Sequence, residues 1–496
     1  MAVAQPPLSI LIRGGLVYDG LGGAGREMAV GLRGDRIVYL GDATQAPRAE
    51  RVLNAQGWIV APGFIDPHAH VLEDLSRPAR AKNENYLLQG VTTVISGNDG
   101  AGPFKVQEAL DKWTQNGIGT NAAMLVGFGS VRREILGMSA REPSAEQLDQ
   151  MKALVRRAMS EGAIGFSAGL FYTPQKYAKT GEVIALAKEA AGGYYDTHIR
   201  DESSYDIGLL GSVEEAIRIA REAKIRVNLS HIKALGVDVW GQSKQAIALV
   251  EQARREGLRI TADQYPYSAS GSGLNPSLLP GWAEEGGKLK ERLADPQLRP
   301  KIEKEMEENM RRRGGPASFL LLSPRDQTLK GKRLTEIATM WSASPIQAAI
   351  RIIEDGGAGV ASFNMSEEDI ENFMRQDWVM TCSDGSYGHP RKYGTFPRKI
   401  KRYVLDRKVI SMAQAIRSST SFPADALGLK DRGRLAVGAL ADVIVFDPAT
   451  IADQATYEEP ERLSTGMQYV IVNGQIAVEG GKYNGVRAGR ALKRTP

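Results

Sequence analysis

The sequence predicts an α/β protein, a (β/α)8 TIM barrel with a small discontinuous β-sandwich built from both chain ends. Three observations carry this expectation. Strand-like and helix-like segments alternate over residues 60–263, as a parallel sheet with crossover helices requires. Short period-two strands separated by glycines fill residues 8–60 and return after residue 434. Four of the five histidines stand at the carboxyl ends of the expected barrel strands, the end at which such barrels do chemistry.

At 496 residues the chain exceeds what one ordinary core fills, so a large barrel plus a smaller domain is the natural division. Apolar content of 42% and charged content of 24% are those of a globular protein. The net charge of +5 is mild, and lysines and arginines are spread along the chain. The basic cluster Arg311-Arg312-Arg313 follows an acidic stretch and reads as a solvated helix end, so no nucleic-acid partner is expected. No run of 18 apolar residues occurs, so no membrane partner is expected either. A single cysteine, Cys382, excludes an intrachain disulfide. The N-terminus has neither a charged region nor an apolar core, which points to a cytoplasmic protein. Ala2-Val3-Ala4 before Gln5 has the small-residue character of a cleavage site, so a periplasmic protein is expected if a signal peptide has been removed.

Taken in order, strands are expected at 10–12, 15–18, 28–32 and 36–40, and the run Trp58-Ile59-Val60 leads into the barrel. Strands then fall at 91–95, 122–126, 164–167, 194–198, 226–230 and 259–263. Helices at 104–116, 145–161, 182–191, 213–223 and 244–255 separate them. The rhythm breaks over 266–341, rich in Pro, Gly and Ser, with one charged helix at 297–313. An insertion there would sit over the barrel mouth as a lid. Barrel rhythm resumes with a helix at 345–354, a strand at 358–363, a helix at 367–375 and the strand Val379-Met380-Thr381. Tail strands at 442–446 and 468–472 return to the N-terminal strands. The expected domains are 1–61 with 434–496 for the sandwich and 62–433 for the barrel.

In a strand, residues i and i+2 point to one side, so His68 and His70 can present both imidazoles to one point. Asp99 follows the second barrel strand, His198 and His231 end later ones, and Asp384 follows the last. Imidazoles and carboxylates converging there form a ligand set for zinc or a similar divalent cation, as one ion or two. Such a cation lowers the pKa of water to about 7 and polarises a carbonyl oxygen. Asp384, besides its place in the ligand set, is the candidate general base and acid. Cys382 shares the strand face of Asp384 and reads as a small buried hydrophobe.

The pattern Phe64-Ile65-Asp66-Pro67-His68-Ala69-His70, followed by His198, His231 and Asp384, resembles the amidohydrolase superfamily. Thr197-His198-Ile199-Arg200-Asp201-Glu202, Ser230-His231-Ile232-Lys233, Thr261-Ala262-Asp263-Gln264-Tyr265-Pro266-Tyr267 and His389-Pro390-Arg391 resemble its N-acyl-D-amino-acid deacylase (D-aminoacylase) branch. The stretch Ala439-Leu440-Ala441-Asp442-Val443-Ile444-Val445-Phe446 is similar to the superfamily's returning sandwich strands, and the likeness spans residues 10–478. It implies metal-dependent hydrolysis of a linear amide that releases a D-amino acid from an N-acyl-D-amino acid. It also implies that His198 and His231 bind the tighter metal site, that His68 and His70 help form the second, and that Asp384 is the acid/base. Lys233, Tyr265 and Arg391 would hold the substrate carboxylate, for which a guanidinium fork is the best match. One departure stands out: where the D-aminoacylases carry a cysteine ligand in the turn after strand two, this chain has Asp99, a harder ligand that admits other divalent ions. The fourth strand, 164–167, offers no lysine for a carbamylated bridge, which separates the chain from dihydroorotase- and urease-like members. A dipeptidase, a broad-specificity amidase or esterase, and a non-catalytic metal-binding scaffold are the alternatives, and a homo-oligomer is compatible with the sequence.

Overall fold

The computed structural model describes residues 6–494; Ala2-Val3-Ala4 lies outside them. Eight parallel strands form the barrel: β1 (Phe64–Asp66), β2 (Val91–Ser96), β3 (Asn121–Gly127), β4 (Gly165–Gly169), β5 (Tyr194–His198), β6 (Arg226–Leu229), β7 (Ile260–Gln264) and β8 (Val379–Thr381). They pair in sequence order from β1 to β8. β2 to β5 are buried at every position, as expected of strands covered on both faces. The seam between β8 and β1 is closed by a neighbouring backbone. Ile65 N–H donates to Ser419 O (2.8 Å) and Thr381 N–H to Ser418 O (2.9 Å). Across the same seam Asp384 N–H donates to His68 O (2.9 Å), which fastens two expected site residues together.

The crossover helices follow from ordinary local signals. Ala145–Glu161 starts at a capping box between Ser144 and Gln147 and ends at Gly162, whose φ of 119° suits glycine. Its buried stripe, Met151, Val155, Ala158 and Met159, recurs at helical spacing toward the barrel. Loss of the Ser144 cap would cost about 1 kcal/mol.

Both chain ends meet in a seven-stranded sheet. Ile59–Pro62 pairs antiparallel with Val443–Phe446 and parallel with Leu16–Val17. The run Trp58-Ile59-Val60 therefore belongs to this sheet, and the first barrel strand begins only after Gly63. Gly63 packs so tightly on Thr92 that a Cβ there would collide with the threonine side chain. Two strands separated by one residue make a single apolar run, which periodicity cannot divide. A second sheet of Leu8–Arg13, Ala29–Arg33, Arg36–Gly41 and Ala49–Asn54 faces it, and Ile10, Val30, Leu32, Val443 and Ile471 share the core between them.

Because β7 pairs directly with β8, residues 265–378 lie outside the barrel wall. They carry an antiparallel sheet of Ala269–Gly273, Ala358–Phe363 and Phe319–Pro324, with Ala358–Phe363 in the centre. A separate core that includes Leu274, Met306, Leu321, Ile337 and Ile350 supports it. The strand at 358–363, which the sequence rhythm returns to the barrel, is thus the middle of the inserted sheet. Its local pattern is the same in either setting; only its neighbours fix the direction of pairing. Cys382 is buried beside Tyr265, Met365 and Tyr403. Among the described residues no helix is long and apolar enough to cross a membrane.

Candidate active site

The carboxyl ends of the barrel strands open into a cavity of about 470 Å³. Its wall includes His70, Asp99, His198, His231, Lys233, Tyr265, Asp384 and Arg391, so eight of the nine residues expected in the site line one space. The ninth, His68, is fully buried at its floor. Asp99, His231 and Asp384 have φ values of 56°, 37° and 45°. Left-handed backbone at a residue other than glycine costs on the order of 1–2 kcal/mol, and here it turns three side chains inward at three strand ends.

Asp99 and Asp384 sit among the imidazoles. Asp99 Oδ1 is 3.5 Å from His68 Nε2 and 3.5 Å from His231 Nε2, while its Oδ2 is 3.5 Å from His70 Nε2. Asp384 Oδ1 is 3.0 Å from His70 Nε2 and 3.7 Å from His68 Nε2. Burial by itself would raise the pKa of both carboxyls, but His68 at Asp99, and Arg391 and His231 at Asp384, hold them below the usual range. The same carboxylates overcome burial at the imidazoles, raising His70 to about 9 and His231 to about 10. His198 is pushed down to about 4 by burial.

Glu202 completes the group. His231 Nδ1 lies 3.1 Å from Glu202 Oε1, and Lys233 Nζ donates to the same oxygen. His198 Nδ1–H donates to Ile199 O (3.0 Å), and its ring stacks on Phe171 at 5.5 Å. Both histidines thus have Nδ1 engaged and Nε2 turned inward, the ring orientation that a metal ligand requires. Sequence reading does not assign Glu202 a role, although it lies four residues after His198; it stands on a loop, where no periodicity reports its direction. Below the site, Asp196 accepts from Asn98 (3.0 Å) and Asn228 (2.9 Å), and Asp263 accepts the His231 backbone N–H (2.7 Å). These acids hold the loops in place.

The donor set fits a divalent cation. His68 Nε2 and Asp99 Oδ1 are buried with no hydrogen-bond partner among the described residues, which is costly unless something else satisfies them. The 3.0–3.7 Å spacings among these nitrogens and oxygens bracket the ~3.3 Å edge of a tetrahedron with bonds near 2.0 Å. Asp99 and Asp384 bring the two negative charges that such an ion neutralises.

Beside this group the Arg391 guanidinium lies 2.7 Å from Asp384 Oδ2 and 4.5 Å above the Tyr265 ring, with Lys233 Nζ 5.6 Å from that ring. Arg391 Nε and the Tyr265 hydroxyl are buried without hydrogen-bond partners among the described residues. His389 fixes this arginine: its Nδ1 accepts the Arg391 backbone N–H (3.2 Å), and its Nε2–H donates to Ala269 O (3.1 Å).

The sequence pattern of the amidohydrolase family matches residues 51–284 and 326–478. This chain belongs to the amidohydrolase family. Among its relatives, the N-acyl-D-glutamate deacylase of Alcaligenes xylosoxydans xylosoxydans is 33% identical, over 99% of this amidohydrolase and 97% of the relative. The crystal structure of an N-acyl-D-glutamate deacylase from Bordetella bronchiseptica, complexed with zinc and a phosphonate mimic of the tetrahedral intermediate, superposes with a TM-score of 0.85. It is 29% identical and covers 99% of this chain and 100% of its own. A D-aminoacylase structure that addresses a binuclear metal centre gives a TM-score of 0.83 at 30% identity, over 98% and 100% of the two chains. The amidohydrolase described here is thus akin to N-acyl-D-amino-acid deacylases over its full length.

Proposed function

We propose that this amidohydrolase hydrolyses a linear amide bond and releases a D-amino acid from an N-acyl-D-amino acid, with zinc or a similar divalent cation as cofactor. The observation that carries the reading is the position of Asp384. One of its oxygens faces the imidazole group and the other faces Arg391, so a single carboxylate joins the place of hydrolysis to a carboxylate-binding cation. The kinship to enzymes named for D-amino acids supports the configuration.

His68, His70, Asp99, His198, His231 and Asp384 would hold one or two cations. Asp99 Oδ1, 3.5 Å from both His68 Nε2 and His231 Nε2, would contribute a carboxylate to whichever of them holds an ion. When bound, the cation supplies an activated water and polarises the scissile carbonyl. Asp384 would hold the proton released as water adds to the carbonyl and pass it to the amide nitrogen, which must be protonated to leave as an amine. Arg391 Nε and the Tyr265 hydroxyl, two buried donors beside Asp384, bind the substrate α-carboxylate, with Lys233 alongside. Phe171 and Tyr172, packed on His198 at 5.5 and 4.8 Å, keep water from that side of the site.

The test pairs metal analysis with turnover of N-acetyl-D- and N-acetyl-L-amino acids by the same preparation. Turnover confined to the D series, proportional to bound metal, is expected. Equal turnover of both series, or cleavage of dipeptides and esters alone, would reject the reading in favour of a broader amidase or a dipeptidase.

A further inference from the structure

Three buried cations line the cavity: Lys233, Arg313 and Arg391, at 5, 2 and 1% exposure. Two of them are neutralised within the site, Lys233 by Glu202 and Arg391 by Asp384. Arg313 is not. Its helix neighbours Arg311 and Arg312 pair with Asp238 and Glu308, but Arg313 has no ion pair among the described residues. Its Nε donates to the Tyr205 hydroxyl (2.6 Å), which holds the guanidinium in one orientation, and one terminal nitrogen is buried with no hydrogen-bond partner among the described residues. The cluster that reads as a solvated helix end in sequence therefore delivers one arginine into the cavity.

A desolvated guanidinium without a counter-charge is costly, and the open side of this one is the substrate cavity. We propose that Arg313 is a specificity-determining residue: it binds a second carboxylate, carried on the amino-acid side chain of the substrate, and selects N-acyl derivatives of acidic D-amino acids. The inference rests on the deacylase reading for the first carboxylate, which Arg391 and Tyr265 take. A planar fork held at Nε leaves its terminal nitrogens for a carboxylate, which a neutral side chain cannot replace.

The experiment compares the metal-loaded full chain with Arg313→Met and Arg313→Lys on N-acetyl-D-glutamate, N-acetyl-D-aspartate, N-acetyl-D-leucine and N-succinyl-D-leucine. The native enzyme is expected to favour an acidic D-amino acid. Arg313→Met should lower kcat/KM for that substrate roughly 100- to 1,000-fold, the effect of removing one partner of a buried ion pair, and change N-acetyl-D-leucine less than threefold. Arg313→Lys should keep part of the preference. Equal losses on acidic and neutral substrates, or a native enzyme indifferent to the side-chain charge, would overturn the proposal while leaving the deacylase reading intact. An Arg313-dependent preference for N-succinyl-D-leucine would place the second carboxylate on the acyl group and overturn the assignment to the side chain. If no N-acyl-D-amino acid is hydrolysed, the deacylase reading fails. Thermal stabilisation by N-acetyl-D-glutamate, present in the native protein and lost in Arg313→Met, would still uphold the Arg313 site; its absence would end it. Should Arg313→Met not fold, the charge preference of the native enzyme and its weakening in Arg313→Lys decide.

Discussion

Lys399 is buried beside the barrel seam with no carboxylate partner among the described residues. It lies in the helical segment Lys399–Asp406 at 4% exposure. Its Nζ donates to Thr381 Oγ1 (2.6 Å) and Ser418 Oγ (2.9 Å), side chains of the residues that close β8 onto its neighbour. Burial pushes its pKa from 10.5 down to about 7. Between about pH 7 and 10.5 the unfolded chain carries a proton on this lysine that the folded chain has released, so stability rises with pH across that window. Below pH 7 both states are charged and the full penalty applies, roughly 5 kcal/mol; by pH 9 roughly 2 kcal/mol remains. Lys399→Met removes the penalty and keeps an unbranched stem. The hydroxyls it abandons retain other contacts, Thr381 with Ser419 (2.8 Å) and Ser418 with Ala415 O (3.1 Å). With an unfolding entropy of about 2 cal/mol/K per residue, 1 kcal/mol shifts the Tm of a chain this long by about 1 °C. Calorimetric scans of the metal-loaded proteins should show the variant gaining about 4–5 °C at pH 6 and about 2 °C at pH 9. Parallel Tm-against-pH curves for the two proteins would refute the assignment of a depressed lysine, whatever their offset.

The remaining predictions concern the site. Asp384→Asn should lower kcat by about 10²- to 10⁴-fold, the usual range for a lost general base, while metal analysis finds the cation retained; native-like turnover would overturn the assigned base. His68→Ala should reduce bound metal after dialysis, because its Nε2 faces both Asp99 and Asp384; undiminished metal content would count against His68 as a ligand. Metal binding at pH 8 should release about two protons, since Nε2 ligation requires unprotonated rings and the pKa values of His70 and His231 are raised to about 9 and about 10. Titration calorimetry in buffers of different ionisation enthalpy reads that number directly, and binding without proton release would refute it.

The barrel and its chemistry were legible because both depend on local order. A strand followed by a helix fixes the parallel direction, and the carboxyl end of each strand then faces one mouth. His68, His70, His198, His231 and Asp384 needed no further information. The misread element is one whose place is set by distant partners. Ile59–Pro62 joins the terminal sheet through Val443–Phe446, within the expected 1–61 sandwich, but Ala358–Phe363 turns antiparallel because Ala269–Gly273 and Phe319–Pro324 flank it. Arg313 looks like part of a solvated charge run until Tyr205, 108 residues earlier, draws it inward. Glu202 is one of two adjacent acids on a loop, and only the folded chain shows that it, rather than Asp201, meets Lys233 and His231.

These two kinds of residue divide the work of the site. Groups that touch the reacting bond stand on barrel strand ends, held by contacts such as Asp384 N–H to His68 O and Asp66 Oδ1 to the backbone N–H groups of His68 and Ser383, each 3.1 Å. On the proposed reading, two of the groups that meet the rest of the substrate are set by the 265–378 excursion: Arg313 lies within it, and Arg391 is anchored to it through His389 and Ala269 O. On that reading, in which metal content and the pH dependence of kcat follow from Asp99, Asp384 and the four imidazoles, substitution within the excursion should therefore change which substrate is accepted while leaving both unaltered. His389→Phe, which loses the bond to Ala269 O but not the bulk, sits at the junction. It should raise KM through a misplaced Arg391 and leave metal content intact. Loss of bound metal in that variant would show that the inserted sheet also supports the metal ligands, and that the two halves of the site are mechanically one.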